Sequence, residues 1–228
     1  MTRMHFKRLG LALLVAASLG GGLTACLPLV AGGVAVGSLV ALDRRTSGAQ
    51  LEDEGIELRA ANRIRENLGG RVRVSVTSYN RQVLLTGEVP NERDKQLVEQ
   101  VVSQVQNVRA IVNELGVLDS PTLSQRSADA LITGKVKASL VDAKDVYANA
   151  FKVVTERGAT YLMGRVTQRE ADRATEITRG VSGVQRVVRI FEIISEDELR
   201  NLQSQPASAA PPAAAPAAPA SAPAVPRS

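Results

Sequence analysis

A chain of 228 residues with one cysteine and one histidine has few chemistries open to it. Cys26 has no second cysteine to form a disulfide, and no neighbouring thiols to build a metal cluster. His5 stands in a segment that reads as a removable leader. Without it there is no His-based triad and no His-ligated metal. The acids Glu52, Asp53, Glu54 and Glu57 are close enough in sequence to be metal ligands. A charged helix start, with acids at the positive end of the helix dipole, is the plainer reading. Gly87 and Gly164 open no phosphate loop, because no Gly-rich run leads into a helix with a Lys. They read instead as places where a strand ends or bends and a side chain does not fit. No Ser-Lys or carboxylate pair sits in a catalytic pattern. The expectation is a protein that is not an enzyme and has neither metal nor cofactor.

The charge points the same way. The formal net charge is +5, but Arg3, Lys7 and Arg8 stand in residues 1–25, which hold no acid. The remainder is +2, which gives no reason to expect a nucleic-acid partner.

Cysteine chemistry of another kind is open. A basic start and an apolar run from Leu9 to Leu23 lead into Leu23-Thr24-Ala25-Cys26. This resembles the lipobox of bacterial lipoproteins. The small residues admit a signal peptidase, the thiol carries diacylglycerol, and the freed amine is acylated. Residues 1–25 are then a signal peptide, and Cys26 carries palmitate-type chains. More than one chain is needed for stable anchoring, since each buried CH₂ contributes ~0.8 kcal/mol and a single chain is marginal. Leu27, not Asp, follows the cysteine, which in lipoproteins of this type implies export to the outer membrane. Residues 26–50 read as a juxtamembrane linker. Its uncharged part, Leu27–Leu42, would reach ~24 Å as a helix, short of a ~30 Å hydrocarbon core.

The middle of the chain repeats itself. Val83-Leu84-Leu85-Thr86-Gly87-Glu88-Val89 matches Thr160-Tyr161-Leu162-Met163-Gly164-Arg165-Val166, with 77 residues between the glycines. Val105-Gln106-Asn107-Val108 matches Val181-Ser182-Gly183-Val184, with 76 between the valines. In the first unit Ile56, Ala60, Ile64 and Leu68 mark a helix face, and Val72, Val74 and Val76 alternate as a half-buried strand. Tyr79–Gln82 is a hairpin turn and Val83–Val89 a second strand. Asn91 caps a helix striped by Leu97, Val98, Val101, Val102 and Val105, and Val108–Val117 is a third strand. The second unit follows suit. Ala128, Leu131, Ile132, Val136 and Leu140 stripe its first helix, and strands begin at Phe151, Thr160 and Val184. A helix over 169–181 stands between the last two strands, and Gly183 suits the left-handed position after it. The predicted fold is α+β. Two tandem α-β-β-α-β domains, at 51–119 and 127–195, each have a three-stranded sheet with two helices on one face. The Ala/Pro-rich residues 203–228 read as a disordered tail.

This repeat resembles the BON domain. A lipobox cysteine before two such units is similar to the dual-BON outer-membrane lipoproteins, the division- and outer-membrane-stress-associated lipid-binding proteins. The likeness is best in the second unit, at Asp129–Lys137, Val153–Glu156, Tyr161–Gly164 and Val181–Val184. It implies a lipid-anchored protein of the outer membrane that faces the periplasm, does no chemistry and supports envelope integrity. It also implies assembly-machinery or division-site proteins as partners. Where the family often has a large aromatic on this helix, the present chain has Leu131.

Residues 51–118 hold nine basic and ten acidic residues, whereas 127–195 hold eleven and eight. Lys135, Lys137, Lys144 and Lys152 lie in or soon after the first helix of the second unit. At ~1 kcal/mol per basic residue near an anionic bilayer, such a group would dock a tethered domain. The expected lipid-binding residues are Leu131, Gly134, Lys135, Lys137 and Lys144, and the expected partner is an anionic phospholipid membrane. The alternative reading is a periplasmic protein–protein adaptor for outer-membrane assembly machinery.

Overall fold

The structure, a computed structural model, describes residues 43–204. Cys26 and most of the tail lie outside them. The first domain begins with helix α1 (Ser47–Leu68), capped by the Thr46 hydroxyl on the Ala49 N–H. Strands β1 (Arg73–Tyr79) and β2 (Gln82–Val89) form an antiparallel hairpin in which Tyr79 faces Gln82. Both turn residues, Asn80 and Arg81, have positive φ, the geometry of a tight turn whose twist matches that of the strands. Helix α2 (Glu92–Ser103) is capped by Asn91 and crosses over to β3 (Ala110–Asn113), which runs parallel to β2. The chain breaks at Glu114-Leu115 and resumes as β4 (Gly116–Val117), also along β2. The third strand expected over 108–117 is therefore two pieces. The Asn113 side chain takes the Leu115 N–H, and Leu115 turns into the core.

The second domain repeats this. Helix α3 (Leu123–Asp142) leads through a 3-10 turn at Ala148–Ala150 to β5 (Phe151–Glu156) and β6 (Ala159–Val166). Helix α4 (Gln168–Arg179) crosses to an unbroken β7 (Arg186–Ile193), parallel to β6. Gly183 follows α4 with φ +99°. Helix α5 (Glu196–Ser204) comes next and was not expected. It seats Leu199 in the body, and an Arg165–Glu198 ion pair ties it to β6.

The glycine readings hold. A Cβ on Gly87 would stand 2.0 Å from the Arg73 carbonyl oxygen, and one on Gly164 would stand 2.5 Å from that of Ala150. At both, neighbouring backbone comes too close for a side chain, and the strands continue past them to Val89 and Val166.

Each domain packs its two helices on one sheet face, as expected. Ile56, Ala60 and Ile64 of α1 meet Val83, Leu85 and Val89, and α2 adds Val98 and Val102. Val136 and Leu140 of α3 meet Phe151, Val153 and Leu162, with Ala171 and Ala174 from α4. The other sheet faces are not in water. They pack on each other through Tyr79, Leu84, Tyr161, Met163 and Ile190, making a four-layer body with the helices outside. The central strands are covered on both sides, so every residue from Val83 to Val89 is buried. The Tyr79 hydroxyl lies 3.5 Å from the Ala150 carbonyl, and the 77-residue offset turns that pair into Glu156 and Arg73, which form an ion pair.

Candidate functional site

Helix α3 carries four of the five expected lipid-binding residues, and its orientation is set from both sides. At its start Thr122 and Gln125 form a reciprocal capping box. On its inner side Val136 and Leu140 are in the core, with Ile132 partly buried against it. Asp129 is also buried, and its carboxylate accepts from the backbone N–H groups of Arg157 at 2.8 Å and Gly158 at 2.9 Å. This pins the helix to the β5–β6 turn.

The outer side is apolar. Leu123, Leu131 and Val141 are 72%, 61% and 69% exposed. At 3.6 residues per turn they fall within ~80° of one another. Between them stand only small residues, Ser127, Gly134 and Ala138. A Cβ on Gly134 would have no neighbour within 4 Å, so the fold does not require glycine there. Lys135 and Lys137 are two residues apart, hence ~200° around the axis, and they flank the stripe on opposite sides. Both are exposed, and Lys135 reaches the Ser182 hydroxyl at 3.2 Å. Lys144 is exposed just beyond the C-cap Ala143.

Three expectations need correction. Ala128 does not join the stripe that packs on the sheet; it is exposed, as is Leu131, which was expected to bind lipid. Lys152 does not join the other lysines. It lies on β5 and binds Glu57 at 2.7 Å and the Ser78 carbonyl at 3.1 Å, in the first domain. The acids near Glu52 are not a helix start, since α1 begins at Ser47 and has no acid in its first turn. Asp53 is buried and accepts from Asn80 N, Arg81 N and the Ser78 hydroxyl, each at 2.7 Å. Burial opposes its charge, but these donors and Arg45 hold its carboxyl below the usual range. Among the described residues no group of acids is arranged to hold a metal.

Asp53 and Asp129 thus do the same work in the two halves, each fastening its helix to its own hairpin turn. The sequence carried the signal. Asp53, Ile56, Ala60 and Ile64 align with Asp129, Ile132, Val136 and Leu140 at the 76-residue offset.

The BON domain model matches residues 52–119 and 128–194, one copy for each half of the fold. The chain belongs to the BON-domain family. It is 36% identical to the outer membrane lipoprotein DolP of Haemophilus influenzae over 196 residues, which is 85% of this chain and all of that one. It is 31% identical to the 21 kDa hemolysin of Actinobacillus pleuropneumoniae over 155 residues, covering 67% of this chain and 80% of the other. Among solved structures it is similar to CdsD, a structural protein of the Chlamydia trachomatis type III secretion system. That likeness has 15% identity and a TM-score of 0.27, and covers 68% of this chain and 98% of that one.

The two BON domains differ on the outer face of their first helices. The alignment through Asp53 and Asp129 puts Gly55 in the place of Leu131 and Leu58 in that of Gly134. Asn62 and Arg65 take the places of Ala138 and Val141. The Arg59 guanidinium lies over Gly55, where a Cβ would meet it at 2.8 Å. The outer face of α1 is therefore broken by long polar side chains, and that of α3 by none larger than Ser127.

Proposed function

We propose that this chain is an outer-membrane lipoprotein, acylated at Cys26 and facing the periplasm. Its second BON domain docks on anionic phospholipid through α3 and supports envelope integrity as a binding module without chemistry of its own. The observation that carries this reading is the exposed apolar stripe of α3 between two lysines. Such a stripe sinks into the headgroup boundary while the ammonium groups meet phosphates. The likeness to the outer membrane lipoprotein DolP supports the location, and no helix among the described residues is long and apolar enough to cross a membrane.

The test is co-sedimentation of the full chain, made soluble by Cys26→Ser, with phosphatidylglycerol-containing vesicles and with pure phosphatidylcholine vesicles. Binding to the first and not the second is expected. Equal binding to both, or to neither, overturns the reading. An adaptor role is the second reading, and Leu51 and Leu58, exposed seven residues apart on α1 of the first BON domain, favour it.

A further inference from the structure

Asp43, Arg44 and Arg45, just ahead of the cap residue Thr46, form contacts that neither a helix cap nor the lipid reading requires. Arg44 and Arg45 are neighbours in sequence and bind different domains. The Arg44 guanidinium grips both carboxylate oxygens of Glu170 at 2.7 Å and donates to the Arg165 carbonyl at 3.0 Å. It also lies 5.9 Å from the centre of the Tyr147 ring. All of these partners belong to the second BON domain. Arg45 binds Asp53 of the first domain at 2.7 Å and stacks 4.3 Å over the ring of Tyr79. Asp43 aims it, with contacts to its Nε and Nη2 and to its backbone N–H.

A solvated lead-in to a helix would leave these side chains in water. The side chains of Arg44 and Glu170 are instead only 7% and 1% exposed. Glu170 already closes the capping box of α4 by accepting from Thr167 N, so the helix does not need Arg44. The buried carboxylate does, because an unpaired charge away from water is costly. Tyr79 itself stands in the apolar layer between the sheets, so Arg45 covers the edge of that layer.

We propose that Asp43–Thr46 is a two-pronged latch: Arg45 fastens it to the first BON domain and Arg44 to the second, fixing the relative orientation of the two. Both prongs are satisfied only when the domains are docked.

The test is the distance distribution between spin labels at Glu66→Cys and Arg179→Cys, both exposed and one on each domain, in the full Cys26→Ser chain. The unaltered latch is expected to give one narrow distance. Arg44→Ala is expected to broaden it at least two-fold while circular dichroism stays unchanged, and Arg44→Lys to restore part of the narrowing. Glu170→Gln keeps an acceptor for Thr167 N and is expected to broaden it as Arg44→Ala does. A distribution equally narrow in Arg44→Ala overturns the latch, as does a broad one in the unaltered chain. Unfolding by both Arg44→Ala and Glu170→Gln also overturns it, because the contacts would then belong to the fold of one domain.

Discussion

Arg157 of the second BON domain places its guanidinium 2.9 Å from a carboxylate oxygen of Glu88 in the first. Glu88 is buried between the sheets, where Arg73 is its second cation at 2.5 Å. The same Arg157 nitrogen donates to the Gly87 carbonyl at 2.9 Å, and its backbone N–H is held by Asp129. One residue therefore joins the inner side of α3 to the opposite domain.

Arg157→Ala removes one of two cations from a buried carboxylate and leaves a carbonyl without its donor. Charged hydrogen bonds of this kind contribute about 1.5–3 kcal/mol each, and Arg73 remains to limit the loss. The expected outcome is a loss of about 2–3 kcal/mol in urea unfolding, with the secondary structure kept. An unchanged midpoint would mean that the pair contributes nothing net.

Little of this interface was legible in the sequence. The stripe of α2 and the alternation of β1 were, because they depend on neighbours within a few residues. Arg73 alternates with the valines of β1 as the polar side of a half-buried strand does, yet it meets Glu156 of the second domain, and a polar residue that meets a partner sheet looks the same as one that meets water. The run Val83–Val89 predicts a strand, but Thr86 and Glu88 on one of its faces give no hint that a second sheet buries them. Arg44 gave no sign at all, since its partner Glu170 is 126 residues away. The α3 site was more open to reading because it is local. Lys135 and Lys137 stand clear of the buried row by their spacing from Val136 and Leu140, whereas Leu131, expected at the border of that row, needed the packing to place it.

The latch is expected to let go in acid. Burial opposes the charge of Glu170 and of Asp53, but hydrogen bonds from Arg44 and Thr167 N, and from Arg81 N, Ser78 and Arg45, outweigh it. Both carboxyls are held below their ordinary values of 4.5 and 3.8. A lowered folded pKa gives stability that is complete above the ordinary value and is lost as pH falls through the folded one. Denaturation midpoints measured from pH ~6 down to ~2 should fall, and less steeply in Arg44→Ala, which lacks the Glu170 share. Parallel slopes would show that Glu170 is not held by Arg44.

Two glycines give opposite results on substitution by alanine. Gly87 has φ +119°, and its Cβ would collide with the Arg73 backbone, which cannot move without parting β1 from β2. Gly87→Ala should cost at least ~3 kcal/mol and leave the first domain poorly folded. Gly134 is in the middle of a helix with open space around it. Gly134→Ala should raise stability by about 1 kcal/mol. Thermal unfolding of the two variants side by side checks both.

The α3 variants separate docking from folding. Leu131 is exposed, so Leu131→Glu removes no core contact and the domain should stay folded. If Leu131 enters the interfacial layer, its loss removes ~1.5–3 kcal/mol of burial and puts a negative charge against an anionic surface. Lys135→Glu with Lys137→Glu acts on the two flanks instead. It replaces two attractions of ~1 kcal/mol each by repulsions, and disturbs only the surface contact of Lys135 with Ser182. Both variants should lose binding to phosphatidylglycerol vesicles by well over ten-fold at low salt, with circular dichroism unchanged. Raised salt should weaken the unaltered protein through its lysines, since screening shortens their reach to ~3 Å at 1 M. Its apolar contribution should remain. Full binding by a folded Lys135→Glu, Lys137→Glu variant would remove α3 as the docking helix, and the exposed leucines of α1 would then become the surface to test against protein partners.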